Sequence, residues 1–301
     1  MPTPSERVKS ILENENHLAI VVGNGINRYS SLKGEEYGWD KLIESLWKEL
    51  SINAIPVGND LSLTEAYDII SLCSEGESEV LERVKGFVNS IEPTGYQAKL
   101  CESMMDFGIP ILTTNFDQNL ENGLTKSIMK HPDASVHGFT DFYPWNVYFS
   151  NTVLSNPLAG FGIWHINGSI VYPRSMHLGL TQYMNQVARA RSFIHDWERM
   201  DDNFAGKNQN KWRGYNTWLH IVFNCPLMIL GLGLDVNETF FRWLLIERAK
   251  YFEVFQDRRK GGWFLCLKED MNDGKRFFLQ YLGIETIEFG GYPDLYGSVL
   301  W

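Results

Sequence analysis

The sequence predicts an α/β protein built on a doubly wound, mostly parallel sheet of about six strands. Short apolar runs rich in Ile, Val and Leu alternate with longer segments of helical periodicity, as in parallel sheets covered by helices. Polar or glycine-rich residues follow several of these runs, at the point where open parallel sheets bind ligands. The 301 residues, 44% of them hydrophobic, suffice for a single domain over 1–301 with a sizeable core.

Six apolar runs are predicted as the core strands of a Rossmann-like sheet. They are His17–Val22, Pro110–Thr113, Gly162–Ile166, Leu227–Leu230, Trp263–Leu267 and Glu285–Glu288. Helices are predicted over Trp39–Leu50, Leu63–Cys73, Glu77–Ser90, Tyr96–Phe107, from Gln118 onward, and over Tyr183–Met200, Tyr215–Phe223, Glu238–Tyr251 and Asp273–Leu282. Because four helices between the first two strands exceed one crossover, residues 39–107 are predicted to add a helical layer or subdomain. Residues 127–162, rich in aromatic residues, Asn and Pro, are predicted as an irregular insertion.

Charge and composition exclude several classes of function. The formal net charge is 27 − 37 = −10, which argues against direct binding of nucleic acid over a wide surface. The N-terminus lacks the apolar core of a signal peptide, and the apolar stretch Pro226–Leu234 is too short to span a bilayer. We therefore expect a cytoplasmic protein without a membrane partner. The four cysteines stand singly and no HExxH spacing occurs, so no disulfide framework and no metal site is predicted.

A glycine-containing turn, Gly23-Asn24-Gly25-Ile26-Asn27, follows the first predicted strand. Glycines at such a turn let the backbone approach a pyrophosphate, whose charge is met by amide groups. The third glycine of the dinucleotide-binding fingerprint is absent, since Arg28 stands in its place. The turn is therefore interpreted either as a phosphate cradle or as a tight connection between strand and helix.

Three later strands are also followed by residues suited to a ligand site. Asn115 and Asp117 alternate after the second strand, so both can face one cleft, although such residues are also common helix N-caps. His165 ends the third strand, where an imidazole is suited to general base catalysis at neutral pH, while the alternative is a buried structural histidine. Gly231-Leu232-Gly233-Leu234-Asp235 follows the fourth. Trp39 is interpreted as core packing.

Taken in this order, the four segments resemble the sirtuin-like NAD-binding domain, in particular the bacterial branch found in NAD-consuming anti-phage effectors. The GAGxS or GAGxN turn of that family is matched by residues 23–27, and its TxNxD motif by Thr113-Thr114-Asn115-Phe116-Asp117. Its His-Gly-Ser motif is approximated by WHINGSI at 164–170, and its GxSLxD motif by residues 231–235. The resemblance covers about residues 19–250.

The resemblance implies an NAD⁺ glycohydrolase that releases nicotinamide and ADP-ribose, with NAD as its substrate and no metal. It implies that Asn115 positions the ribose and the attacking water, and that Asp117 accepts a hydrogen bond from the nicotinamide carboxamide. His165, or Asn167 by alignment, would orient or deprotonate a ribose hydroxyl. The residues it implies for dinucleotide binding are Gly23, Asn24, Gly25, Ile26, Asn27, Thr114, Gly231, Gly233, Leu234 and Asp235. It further implies an antiviral defence effector that is a homo-oligomer, or is controlled by a separate partner such as an ATPase or nuclease subunit.

Three departures from the family pattern keep alternatives open. The paired cysteines of the deacylase zinc module are absent, which disfavours a protein deacylase. The histidine stands two residues before its family position, which Asn167 occupies, and Gly233 replaces the family's serine. These last two changes favour an NAD- or ADP-ribose-binding sensor or scaffold without catalysis. A dehydrogenase is disfavoured by the incomplete glycine fingerprint.

Overall fold

The structure is a computed structural model that describes residues 2–29, 31–50, 61–124, the backbone of 128–130, 140–195 and 204–299. The strands of this part of the chain are β1 (Ala19–Val22), β2 (Ile111–Thr113), β3 (Ile128–Lys130), β4 (Val147–Phe149), β5 (Ile163–His165), β6 (Leu227–Leu230), β7 (Gly262–Leu267) and β8 (Ile284–Phe289). Its α-helices are α1 (Pro4–Asn14), α2 (Gly25–Arg28), α3 (Trp39–Glu49), α4 (Leu63–Cys73), α5 (Glu77–Asn89), α6 (Gly95–Phe107), α7 (Leu180–Ile194), α8 (Trp218–Asn224), α9 (Thr239–Val254), α10 (Asp273–Tyr281) and α11 (Tyr292–Gly297).

All eight strands form one sheet in the order β3-β4-β5-β2-β1-β6-β7-β8. The six strands from β5 to β8 pair in parallel, and β3 and β4 extend the β5 edge as antiparallel strands. Counted along the chain, the parallel strands lie in the order 3-2-1-4-5-6, which is that of a Rossmann-like doubly wound sheet. The predicted fold class and the six core strands are confirmed. The strand order reverses direction between β1 and β6, so a crevice is expected there.

Helices cover both faces of the sheet because the central strands are apolar on both sides. Ala19 and Val21 of β1 belong to one buried cluster, which includes residues of α7, α8 and α9. Ile20 and Val22 belong to the opposite cluster, which includes residues of α1, α6 and α11. A third cluster, with residues such as Leu46 of α3, joins α3, α4 and α5 into the predicted helical layer.

Local hydrogen bonds explain where several helices begin. Capping boxes start α1 at Thr3, α4 at Ser62 and α6 at Thr94, and each satisfies amide groups that the first turn leaves open. Helix α1 is not among the predicted elements, although Thr3, Pro4 and Glu6 provide its start signal. No helix in the described ranges is both long and apolar enough to cross a membrane.

The helix predicted from Gln118 onward is wrong. The chain there forms only a short 3₁₀ turn at Glu121–Gly123. The amide of Asn119 donates to Asp117 Oδ1 (3.0 Å), and the Asn119 side chain donates to the carbonyl of Ile91 (3.3 Å). These side-chain bonds compete with helical bonds and tie the segment to neighbouring loops.

Parts of several predicted segments fall on residues that the structure does not describe. Residues 51–60 of the predicted helical layer, residues 125–127 after Gln118, and residues 127 and 131–139 of the irregular insertion lie outside the described residues. The described part of that insertion contains β3 and β4. The helix expected over Tyr183–Met200 is observed as α7, and residues 196–200 also lie outside the described part.

The glycines of the first turn are needed where the loops after β1 and β6 cross. The amide of Gly23 donates to Leu230 O (2.9 Å), and the amide of Gly25 donates to Gly231 O (2.8 Å). A Cβ atom on Gly23 would lie 2.5 Å from Gly231 O and 2.7 Å from Leu232 Cα. These neighbours are main-chain atoms, so they cannot move aside as a flexible side chain would. The two glycines therefore serve close loop packing.

We expect Gly23→Ala to destabilise the protein by about 1–3 kcal/mol, because the added methyl group overpacks the crossing of two loops. The measurement is the free energy of unfolding from urea denaturation. Gly86→Ala is the control, since a Cβ atom on Gly86 in α5 meets no atom within 4 Å. That control should gain about 0.5–1 kcal/mol from its higher helix propensity. Equal stability of Gly23→Ala and the unsubstituted protein would contradict this account.

Candidate functional site

The loops that follow β5, β2, β1 and β6 meet at one edge of the sheet, in that spatial order. Ladder-like bonds continue past the strands: the amide of Thr114 donates to Val22 O (3.0 Å), and that of Ile166 to Thr113 O (2.9 Å). The side chain of Asn115 donates through Nδ2 to Gly23 O (3.3 Å). The structure thus brings together all four segments that the sequence singles out.

A cleft opens between these loops and the helical layer. Its empty space is about 620 Å³, including the part open to solvent. The cleft is lined by Asn24, Tyr37, Gly38, Trp39, Leu42, Phe87, Val88, Ile91, Thr114, Asn115, Phe116, Asp117, Asn167, Leu178 and Glu238. One wall is therefore apolar and comes from α3 and α5, while the opposite wall is polar and comes from the ends of the strands.

Five of the predicted site residues line the cleft: Asn24, Thr114, Asn115, Asp117 and Asn167. The side chains of Asn115, Asp117 and Asn167 are all buried. Asn115 Oδ1 receives no hydrogen bond from the described residues. A polar atom in that position is suited to orienting a water or a hydroxyl group.

The other predicted binding residues do not line the cleft. Ile26 and Leu234 are fully buried among apolar residues on opposite faces of the sheet. Leu234 has a φ of 48°, a left-handed conformation that is costly for a leucine and is held by the surrounding packing. Gly233 and Asp235 are exposed beyond β6. The sequence motifs lie in loops that meet at this edge, but they could not indicate which side chains of each loop point inward.

Several amides of the first turn already donate to carbonyl groups of the protein. Besides those of Gly23 and Gly25, the amide of Asn27 donates to Asn24 O (3.0 Å). The Asn24 side chain donates to the carbonyl of Tyr37. The turn thus forms a close strand-to-helix connection.

Asn27 joins the first and second loops through a buried polar network. Its Nδ2 atom donates to Asp117 Oδ2 (2.7 Å) and to Asn24 Oδ1 (3.1 Å). Its Oδ1 atom accepts from Gln97 Nε2 of α6 (3.0 Å). Asn27 and Gln97 are fully buried, so these bonds satisfy groups that would otherwise be costly to bury. Asn27 thus positions Asp117 rather than contacting the cleft.

The Asp117 carboxylate is shielded from solvent at the base of the cleft. Burial raises the pKa of Asp117 despite hydrogen bonds from Asn119 and Asn27, which favour the charged form. Each carboxylate oxygen already accepts one protein hydrogen bond, yet each retains capacity for a second. Asp117 can therefore accept a hydrogen bond from an amide or hydroxyl group in the cleft.

The His165 side chain does not line the cleft. It is buried, and its Nδ1 atom is 2.7 Å from Asn115 O while its Nε2 atom is 2.6 Å from Glu121 Oε1. Burial disfavours the charged ring, but the charge of Glu121 and the hydrogen bonds outweigh it, so the pKa of His165 is raised. Because both ring nitrogens are occupied by acceptors, His165 is held as a donor that anchors the main chain of Asn115.

Sequence reasoning missed two residues that line the cleft prominently. Glu238 lies just before α9, three residues beyond the end of the fourth motif at 231–235. Trp39, interpreted as core packing, contacts the core and also lines the cleft. Glu121 and Gln97, which hold the site from behind, could be identified only through their spatial neighbours.

Several buried polar atoms around the cleft have no hydrogen-bond partner among the described residues. These unpaired atoms are Trp39 Nε1, Asn167 Oδ1 and the hydroxyl oxygen of Tyr183. Trp39 and Tyr183 are neighbours, with ring centroids 6.2 Å apart. Unpaired buried polar groups are uncommon in proteins and indicate places where water or a ligand completes the bonding.

The charges of the cleft favour a cationic or neutral polar ligand. Among the described residues, its lining contains two carboxyl groups, Asp117 and Glu238, and no lysine, arginine or histidine. Burial and the nearby Asp235 raise the pKa of Glu238 to about 7. No group of three or more His, Cys, Asp or Glu side chains in the described ranges is close enough to hold a metal ion.

We expect His165→Leu to destabilise the protein by about 3–5 kcal/mol, because the buried carboxylate of Glu121 would lose its partner. The double variant His165→Leu/Glu121→Leu should lose less, since it removes the buried charge as well as the imidazole. Urea denaturation of both variants measures the difference.

The stability that the His165–Glu121 pair contributes should depend on pH. Since the pKa of His165 is raised, this contribution to stability should be full below pH 6.5 and decline as the pH rises through the folded-state pKa. A double variant less stable than the single one would contradict the assigned pairing.

Glu238→Gln should stabilise the protein in a pH-dependent way. The pKa of Glu238 is raised from 4.5 to about 7, so its contribution to stability is full below pH 4.5 and is lost as the pH rises through 7. At pH 8 we expect the variant to be more stable by about 1–3 kcal/mol, and near pH 4.5 to match the unsubstituted protein. Denaturant titrations at both pH values test this. Glu253→Gln, at an exposed position of α9, is the matched control and should show no such gain.

No protein-family model matches the sequence, and no curated protein sequence matches it significantly.

Proposed function

We propose that the protein is an NAD⁺ glycohydrolase that cleaves the bond between nicotinamide and ribose. The observation that carries this proposal is the cleft at the carboxyl edge of the sheet, beside the reversal of strand order, where Asn115, Asp117 and Asn167 converge. Rossmann-like sheets bind nucleotides at this position. The resemblance of the four loop motifs to the sirtuin-like domain adds the identity of the substrate.

The charge of the cleft suits the reacting end of NAD⁺. The nicotinamide ring of NAD⁺ is a cation, and the transition state of glycosidic cleavage places positive charge on the ribose. Carboxyl groups without neighbouring basic side chains favour such charges over a phosphate group. The apolar wall from α3 and α5 can pack against the flat ring and exclude water from it.

Each loop of the polar wall contributes a side chain that binds a different part of the substrate. Asn115 offers Oδ1 to the ribose or to an attacking water, and Asp117 accepts from the carboxamide of the nicotinamide group. Asn167 occupies the position that the family gives to a histidine, and it can hold a ribose hydroxyl. No acid is required, because the departing nicotinamide accepts the bonding electrons and becomes neutral.

A second candidate function is a sensor or scaffold that binds NAD⁺ or ADP-ribose without cleaving it. The enclosed position of His165 favours this candidate, because its imidazole lies outside the cleft with both nitrogens occupied. A role as an NAD-depleting antiviral effector, activated by self-assembly or by a partner chain, remains part of the proposal through the family resemblance alone.

The test of the proposal is turnover of NAD⁺ by the purified protein over a series of protein concentrations. We expect nicotinamide and ADP-ribose to appear in equal amounts by liquid chromatography. Asn115→Ala should reduce the rate by about 100-fold or more, as the loss of an orienting polar group typically does. Asn14→Ala, at an exposed position of α1, is the matched control and should keep full activity.

Calorimetric titration with NAD⁺ and ADP-ribose separates the two candidates. Saturable binding without release of nicotinamide would establish the sensor and reject the hydrolase. Absence of both binding and turnover would reject both functions.

A further inference from the structure

Hydrolysis of NAD⁺ in this cleft requires a group that takes up a proton. The C–N bond breaks with its electron pair going to the nicotinamide ring, and the water oxygen bonds to the ribose carbon. One proton of that water must leave. His165 is poorly placed to receive it, because its ring is buried outside the cleft between Asn115 O and Glu121.

Three titratable side chains line the cleft in the described part of the chain: Tyr37, Asp117 and Glu238. The Tyr37 hydroxyl is 3.4 Å from the carbonyl of Ser90 and accepts from the amide of Glu92 (3.3 Å). Both oxygens of Asp117 accept hydrogen bonds from the protein. No hydrogen bond or ion pair from the described residues reaches the carboxylate of Glu238. Of the three side chains, Glu238 is therefore the one whose oxygens are most available to accept a proton.

Unpaired polar groups accompany Glu238 in the same region. Trp39 Nε1 and Asn167 Oδ1 belong to residues that line the cleft with Glu238, and both atoms are buried without a partner among the described residues. The Tyr183 hydroxyl is also buried and unpaired, and the negative charge of Glu238 contributes to raising the pKa of Tyr183. A bound water or sugar hydroxyl here would satisfy donors and acceptors that the protein leaves open.

We propose that Glu238 is a catalytic residue of this cleft and accepts the proton of the attacking water. This inference rests on the proposed function, since it assigns the proton acceptor of that reaction. The family resemblance does not point to it, because Glu238 lies beyond the last matched motif, at residues 231–235.

The surroundings of Glu238 adjust its proton affinity to neutral pH. In the described part of the chain, the titratable or charged groups of the surrounding elements are Asp235 in the same loop, Arg242 one turn into α9, Tyr183 on α7, and Asp117 and Tyr37 in the same cleft lining. Burial and Asp235 raise the pKa of Glu238 to about 7. A general base is most effective when its pKa is near the working pH.

The experiment measures kcat for NAD⁺ cleavage between pH 5 and pH 9, together with the Kd for NAD⁺, in four proteins. These are the unsubstituted chain, Glu238→Gln, Glu238→Asp and the exposed control Glu253→Gln. We expect Glu238→Gln to lower kcat by about 10²–10⁴-fold while the Kd changes little. The rate of the unsubstituted protein should fall on the acid side with a midpoint near pH 7, and this limb should vanish in Glu238→Gln. Glu238→Asp should keep the acid limb at a reduced rate.

The possible failures are distinguishable from one another. If Glu238→Gln cleaves NAD⁺ at the rate of the control with the same acid limb, the assignment of Glu238 is overturned and the proposed function stands. If the unsubstituted protein binds NAD⁺ but releases no nicotinamide at any pH, the proposed function fails, and the catalytic role of Glu238 fails with it. Loss of folding in Glu238→Gln, seen by circular dichroism, would contradict the expected gain in stability, and Glu238→Asp then carries the kinetic test.

Discussion

The parallel hydrogen bonds that β1 makes on both of its sides are the constraint on which the site depends. Val22 pairs with Thr113 of β2 and with Leu230 of β6, so three strands end at the same level. A shift of one residue in either pairing would exchange the two faces of a strand and bury the wrong side chains. Helices pack on both faces of the sheet, so the fit of individual side chains between them fixes this register, and the loops that follow meet at one edge.

The meeting loops are held by polar side chains that do not touch the cleft. Asn27 and Gln97 connect the first turn to Asp117, and His165 with Glu121 supports the main chain of Asn115. Buried polar groups of this kind are costly unless their hydrogen bonds are satisfied, so the network specifies one arrangement of the loops. Residues that resemble parts of a binding motif thus act by positioning their neighbours.

The cleft combines this rigid polar wall with an apolar cover from the helical layer. Apolar side chains of α3 and α5 line the same cleft as the two carboxyl groups, and apolar surroundings strengthen charge interactions with a bound ligand. A cationic ring or an oxocarbenium-like sugar is favoured in such surroundings. The helical layer is therefore part of the candidate site as well as an addition to the sheet.

The sequence by itself determined the six parallel strands of the sheet, because apolar runs and helical periodicity depend on residues close together along the chain. It also determined that residues near 23, 115, 167 and 231 lie at one edge, since parallel strands place their ends together. Only the tertiary structure decided which side chains of those loops face the cleft: Asn167 rather than His165, and Glu238 rather than Asp235. Side-chain direction at a strand end depends on contacts with residues distant in sequence, such as that of Glu121 with His165. Those contacts leave no periodic pattern in the chain, so local sequence could not reveal them.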